Sequence, residues 1–212
     1  MPDSIMIGIP TYETISNETF ESISDILSDH PKDTIVFKYV TGYGVAQARN
    51  KLVDYAIKIG VDKLFFVDND VVLKPNALTF LLSSLSHSHP IVLGYYAKTT
   101  NKIWQGATSL FKMGERDYTQ TYTAEEIKRL RDDGVYQIEV HGGGFGCALI
   151  DMDIFRKIDY PWFNWRFYPG EKRRKLSEDF YFCSKCRKAG IPIIADTRVG
   201  CGHVLHYVQE VM

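Results

Sequence analysis

The sequence predicts an α/β protein: a central, mainly parallel sheet flanked by helices, with a loop-rich C-terminal half. Three observations carry this. Runs rich in β-branched and aromatic residues alternate with segments of helical spacing up to about residue 95. Leu64-Phe65-Phe66-Val67 is an unbroken apolar run, as expected of a strand buried on both faces. That run ends in Asp68-Asn69-Asp70, at the C-terminal strand end where open α/β sheets place their ligand crevice.

Taken in order, Ile5 to Ile9 is a first strand and Pro10-Thr11-Tyr12 the loop that ends it. Phe20, Ile23, Ile26 and Leu27 recur at helical spacing. Thr34 to Val40 is a second strand, followed by the loop Thr41-Gly42-Tyr43-Gly44. Val45, Ala48, Leu52, Tyr55, Ala56 and Ile59 mark a helix that Gly60 ends. Leu64 to Val67 is the next strand. Pro75 is expected in the first turn of a helix carrying Leu78, Leu81, Leu82 and Leu85, and Ile91 to Tyr95 follows as a strand. The order βαβαβαβ predicts a parallel sheet. Short strands and turns are expected over 96–122. Thr123-Ala124-Glu125-Glu126 reads as a capping box opening a short helix. Tyr136–Val140 and Ala148–Met152 read as strands around a glycine run, Glu178–Ala189 as a helix, and Pro192–Ala195 as a strand. The chain is expected to be one domain, with a nucleotide-binding half over about 1–95 and an acceptor and catalytic half over about 96–212; that it is a module cut from a longer protein stays open.

At 212 residues the chain can bury a proper core, and its net charge of −1 gives no general pull toward nucleic acid. No stretch reads as a signal peptide or a membrane span. Cys147, Cys183, Cys186 and Cys201 do not suggest a disulfide framework, so a reducing, cytoplasmic compartment is expected.

Seven groups of residues could carry chemistry. Asp68 and Asp70 are hard oxygen ligands suited to Mg²⁺ or Mn²⁺ carrying a diphosphate; the alternative is a polar turn. The run His141-Gly142-Gly143-Gly144-Phe145-Gly146 permits close ligand approach, but could be a bend between strands. Glu178 and Asp179 begin a helix after Ser177, which can cap it. One carboxylate could serve as general base, or both could simply favour the helix dipole. The polar, basic stretch from Pro169 to Lys175 could close over a diphosphate. His203 could bind a metal, and Cys183, Cys186, Cys201, His203 and His206 raise a zinc site. Cys183 and Cys186 could equally pack as small apolar groups. Arg49, in Ala48-Arg49-Asn50, could reach a uracil or phosphate, or lie on a solvated helix face. Trp162, Trp165 and Tyr168 could stack on a sugar, or form a hydrophobic cluster.

These motifs, in this order, resemble the small, family-2-like glycosyltransferases of GT-A fold, a Rossmann-like nucleotide-sugar-binding architecture. The resemblance rests on Ile7-Gly8-Ile9-Pro10-Thr11-Tyr12, Ala48-Arg49-Asn50, Asp68-Asn69-Asp70, Gly143-Gly144, Glu178-Asp179 and the late His203. A narrower likeness is to compact glycosyltransferase modules of large algal viruses, which would place the protein in a host cytoplasm. The resemblance implies that Pro10, Thr11, Tyr12, Arg49, Asp68, Asn69 and Asp70 hold the donor. Asp68, Asp70 and His203 would bind Mn²⁺ or Mg²⁺. Gly143, Gly144 and Trp165 would lie on the acceptor side, and Asp179, with Glu178 close behind, would be the catalytic carboxylate. The usual acidic contact to the nucleotide base is not obvious, and Glu13 is a poor stand-in. Inversion and retention both remain open.

The implied function is metal-dependent transfer from a nucleotide-sugar, a UDP-sugar first, to a glycan or glycoprotein hydroxyl. A sugar-nucleotide nucleotidyltransferase is the nearest rival. It expects a Gly-rich, basic loop after the first strand, where this chain has Pro10-Thr11-Tyr12-Glu13. The third reading is a non-catalytic glycan-binding module using Trp162 and Trp165.

Overall fold

The computed structural model describes residues 4–30, 34–97, 106–114, 120–167 and 175–204. In chain order the elements begin β1 (Ser4–Pro10), α1 (Asn17–Asp29), β2 (Thr34–Val40), α2 (Val45–Ile59), β3 (Lys63–Val67) and β4 (Val71–Val72). Next come α3 (Ala77–Ser84), β5 (Ile91–Tyr95), β6 (Ala107–Phe111), β7 (Thr121–Thr123), α4 (Ala124–Asp132), β8 (Gln137–Glu139) and β9 (Gly142–Gly143). The chain closes with β10 (Cys147–Asp151), α5 (Ile154–Lys157), β11 (Arg166–Phe167), β12 (Lys175–Leu176), α6 (Glu178–Lys188), β13 (Ile194–Gly200) and β14 (Gly202–His203).

The central sheet has seven strands in the order β2-β1-β3-β10-β5-β13-β8. β1 pairs in parallel with β2 and β3, and β13 in parallel with β5. β10 runs antiparallel between β3 and β5, and β8 antiparallel at the edge. The mainly parallel α/β sheet is therefore as expected, but β3 and β5 are not neighbours. A strand from beyond residue 96 separates them, so one sheet joins both halves of the chain.

Strand residues alternate between two core layers because successive side chains point to opposite faces. Met6, Leu64 and Phe66 face one layer, with Leu52, Val53 and Ala56 of α2 and Phe182 of α6. Ile5, Ile7, Ile9, Phe65 and Val67 face the other, with Ile23 and Ile26 of α1 and Leu78 and Leu81 of α3. Each such fully buried large side chain contributes about 1.5–3 kcal/mol over exposure. Phe163 stacks on Phe182 at 4.8 Å and 6° between planes, and Phe145 meets Phe182 edge-on at 5.3 Å.

Helix ends follow their sequence signals. Ser16 caps α1 by accepting from the Thr19 amide at 3.1 Å. Gly60 ends α2 with φ of 72°, a left-handed conformation that glycine adopts without strain. Thr123 and Glu126 form the predicted capping box.

Three details differ from the sequence reading. Pro75 lies outside α3, because Asn76 takes φ of 63° and the helix starts at Ala77. β13 runs on to Gly200 through polar residues. There Asp196, fully buried, accepts from Arg198 Nη2 at 2.6 Å and from Ser84 Oγ at 2.7 Å. That network makes Asp196 tolerable in a strand the sequence closes at Ala195. Ser177 stands at the N-cap of α6, but its hydroxyl binds the Asp179 carboxylate and caps no helical amide.

Candidate functional site

A cleft of about 310 Å³ opens at the C-terminal ends of β1 and β3. Its wall includes Pro10, Thr11, Tyr12, Tyr43, Gly44, Arg49, Asp68, Asn69, Asp70, Glu178 and Asp179. Every donor-side and catalytic residue named from the sequence therefore meets in one place. This is the strand-end position that open α/β sheets use for ligands. A larger depression, about 510 Å³, lies at the opposite end of β3 around Lys63 and Asp151, away from these carboxylates. We place the site at the smaller cleft because the titratable groups converge there.

The loop after β1 forms one rim. The Thr11 amide donates to the Val40 carbonyl at 3.0 Å, and Tyr12 O accepts from the Gly42 amide at 3.1 Å. These bonds tie the β1 loop to the β2–α2 loop. Asn69 braces it from below: Nδ2 donates to Thr14 O at 2.8 Å, and Asn69 O accepts from the Ser16 amide at 2.9 Å. Tyr12 is 70% exposed and Tyr43 42%, so two aromatic rings stand at the mouth in a position to stack on a planar group. Lys51 Nζ lies 4.4 Å from the centre of the Tyr43 ring.

The floor is charged. Arg49 is 1% exposed, so it is not on a solvated helix face. Its Nη2 donates to Asp68 Oδ1 at 2.8 Å, and its Nε approaches Glu178 Oε1 at 3.4 Å. Its Nη1 points at Phe145 O at 3.5 Å, and its guanidinium lies 5.2 Å from the centre of the Phe66 ring. Burial opposes the Arg49 charge, but the Asp68, Glu178 and Asp179 carboxylates more than restore it, so its pKa rises. Arg49 binds two of the cleft's carboxylates while remaining on the cleft wall. Buried charges persist when paired in this way.

Asp179 lines the cleft beside this pair. Ser177 Oγ and the Phe180 amide, at 2.8 Å, both donate to its Oδ1. Desolvation, then the Glu178 charge, pushes its pKa up to about 7 against the opposing pull of Ser177 and Arg49. A carboxylate tuned to neutrality can take a proton at physiological pH.

Asp70 and His203, far apart in sequence, meet because β14 pairs antiparallel with β4, setting His203 opposite Val71. His203 Nε2 lies 3.2 Å from Asp70 Oδ2, and Nδ1 lies 3.1 Å from the Ala97 carbonyl. With an acceptor at each nitrogen, the ring favours its charged form. The Asp70 bond raises its pKa most, against desolvation. Asp68, turned to Arg49, does not close with them into a three-residue metal site. Among the described residues no group of three or more His, Cys, Asp or Glu side chains forms one. A cation brought by a diphosphate needs less, since one or two protein carboxylates plus phosphate oxygens and water complete its shell. Asp70 and His203 fit that demand once a cation displaces the proton from Nε2. Their oxygen and nitrogen lie side by side, and the Ala97 carbonyl orients the imidazole as carbonyls do for metal-binding histidines.

Other sequence readings are corrected. Gly143 and Gly144 are buried. A Cβ at Gly143 would sit 2.8 Å from Leu93 Cδ1, and one at Gly144 would overlap the Tyr96 hydroxyl. The glycines are required by packing, which accounts for them without an acceptor. Trp162 is buried, its Nε1 donating to Phe155 O at 3.0 Å, so it is core and not a sugar platform. Trp165 is half-exposed but is not part of the cleft wall. Cys183 and Cys186 are buried thiols on α6, their pKa values raised by burial, and they pack in the core with Phe182. Tyr168, His206 and most of the basic stretch 169–175 lie outside the described residues. Sequence reasoning missed Tyr43, one tyrosine among thirteen, with no local motif to mark it.

No family model matches the sequence, and no curated protein matches it. Solved structures do resemble it. A197 from STIV matches with a TM-score of 0.65 at 20% identity, covering 96% of this chain and 86% of that one. UDP-glucose pyrophosphorylase, solved in complex with UDP-glucose, matches with a TM-score of 0.52 at 9% identity, over 93% and 91% of the two chains. A glycosyltransferase involved in glycosylation of the PBCV-1 major capsid matches more loosely, with a TM-score of 0.39 at 14% identity over 91% and 93%. That superposition is too loose to bear on the fold. The first two establish the architecture: an α/β fold of GT-A type, as the sequence resemblance implied. Among the described residues no helix is long and apolar enough to cross a membrane.

Proposed function

We propose that this chain is a nucleotide-sugar-utilising transferase, and specifically a glycosyltransferase that moves a sugar from a UDP-sugar to a hydroxyl of a glycan or glycoprotein. The observation that carries this reading is the polarity of the cleft. Its mouth holds two exposed tyrosines, and its floor holds Asp68, Asp70, Glu178 and Asp179 around one buried arginine. A nucleotide-sugar is polarised the same way, with an aromatic base at one end and a diphosphate that travels with a divalent cation at the other.

Each residue then has a role. Tyr12 and Tyr43 stack on the base. Asn69 fixes the loop that carries Tyr12. Asp70 and His203 would hold Mn²⁺ or Mg²⁺, which supplies charge neutralisation to the leaving diphosphate. Arg49 fixes Asp68 and Glu178 in place. Asp179 accepts the proton of the attacking hydroxyl if configuration inverts.

The nucleotidyltransferase alternative shares this fold. The loop after β1 favours glycosyl transfer, because Pro10-Thr11-Tyr12-Glu13 has neither the glycines nor the cations that grip a triphosphate. The glycan-binding alternative loses Trp162, which is buried.

Thermal-shift screening of UDP-, GDP-, CMP- and dTDP-linked sugars, with and without Mn²⁺, tests the reading, since a ligand that binds the native state must raise its Tm. A Mn²⁺-dependent rise with the UDP-sugars is expected. No rise with any nucleotide contradicts it.

A further inference from the structure

Tyr96, just past β5, meets two groups that adjoin the acidic floor, the Gly146 backbone and the His203 ring. Its hydroxyl oxygen accepts from the Gly146 amide at 3.3 Å. The Gly146 carbonyl in turn accepts from the Asp68 amide at 3.2 Å. Its ring meets His203 edge-on, centroid to centroid 5.3 Å, and His203 holds Asp70. The Tyr96 backbone is fixed on β6. Its amide donates to Ser109 Oγ at 3.3 Å, and its carbonyl accepts from the Ser109 amide at 2.9 Å.

The glycine run is the complement of this side chain. A Cβ at Gly144 would overlap the Tyr96 hydroxyl, and one at Gly146 would lie 2.8 Å from Tyr96 Cε1. Only a strip without side chains lets the phenol reach the Gly146 amide.

We propose that Tyr96 is the positioning residue of the cleft, holding the His203 ring against Asp70 from the backbone strip that carries Asp68, and that Gly144 and Gly146 form the recess that admits it. The proposal rests on the reading that the cleft takes a nucleotide with a divalent cation. It follows from how exacting such a site is. Cation–ligand distances fall within about 0.2 Å of their usual values, and Tyr96 sets where the His203 ring, one of the proposed ligands, sits relative to the Gly146 strip.

The test compares wild type with Tyr96→Phe, which keeps the ring on His203 and removes the oxygen on Gly146. Mn²⁺ binding in the presence of UDP is followed by the paramagnetic resonance of the free ion, and Tm is recorded without ligand. The expected result is a loss of about tenfold in Mn²⁺ affinity, the usual scale for residues that orient metal ligands, beside a Tm close to wild type. Mn²⁺ affinity equal to wild type overturns the proposal whatever the Tm, because a residue with only a packing role moves Tm alone. Should Tyr96→Phe not fold, Gly144→Ala gives the same reading, because its Cβ meets the Tyr96 hydroxyl and presses the phenol off the Gly146 amide. Failure of wild type itself to bind UDP with Mn²⁺ overturns the functional reading and this proposal together. Normal wild-type binding with an unaffected variant overturns the proposal alone.

Discussion

Arg49 donates from Nη2 to Oδ1 of Asp68 across 2.8 Å, with its own side chain 2% exposed and that of Asp68 25%. A surface ion pair contributes little, but this one is covered, and the same guanidinium also serves Glu178. One residue of α2 thereby joins the end of β3 to the start of α6 and fixes the floor of the cleft.

Arg49→Ala leaves Asp68 and Glu178 without their shared partner. The expected loss is about 3–5 kcal/mol of stability, the range for breaking a buried ion pair from one side. Arg49→Lys keeps the charge but not the planar fork, so an intermediate loss is expected. Urea unfolding at neutral pH measures both, and a loss indistinguishable from zero in Arg49→Ala would show that the pair is not closed in solution.

Asp179 makes stability and turnover respond to pH in opposite directions. Its folded pKa, near 7, is above the ordinary carboxylate value of 3.8. The folded state therefore holds a proton that the unfolded state releases. This contribution is fully present below about pH 4 and is lost as pH rises through about 7. Asp179→Asn is uncharged throughout, so it should raise Tm much more at pH 8 than at pH 5. Turnover, which needs the ionised base, should rise with pH through the same range in wild type and be lost in the variant. Equal Tm differences at the two pH values would contradict the assignment.

Gly144→Ala should destabilise the protein by about 1–3 kcal/mol, the usual penalty of overpacking. The clash is with the Tyr96 hydroxyl, so the loss should shrink in a Tyr96→Phe background. Additive losses in the double variant would place the strain elsewhere.

Tyr12 is 70% exposed and packs little, so Tyr12→Ala should leave Tm nearly unchanged. If its ring stacks on the base, UDP binding should weaken by about 1–3 kcal/mol, as base–aromatic contacts do. Calorimetric titration reads this directly, and unchanged affinity would remove Tyr12 from the donor site.

Strands and helices with strong periodicity were legible in the sequence because burial imposes that periodicity. Leu64 to Val67 and the helix closed by Gly60 are the plainest cases. What was not legible depends on distant partners. Nothing in Cys147–Asp151 says that this strand inserts antiparallel between β3 and β5. Asp196 reads as a strand breaker until Arg198 and Ser84 are seen around it. The site shows the same division. Asp68, Asp70 and Asp179 were readable from their place at a strand end and a helix start. The role of Arg49 was not, because a charged residue on an amphipathic helix is ordinarily solvated, and only the fold shows this one facing two carboxylates. The glycine run stands out in the sequence, but its packing reason lies in Tyr96, many residues earlier in the chain.

The central claim is that the cleft binds a nucleotide diphosphate through a cation held at Asp70 and His203. Calorimetric titration of UDP into wild type and Asp70→Asn, each with and without Mn²⁺, tests it most directly. The account predicts Mn²⁺-dependent binding in wild type and its loss in the variant. Equal binding of UDP by both proteins, with or without Mn²⁺, would contradict it.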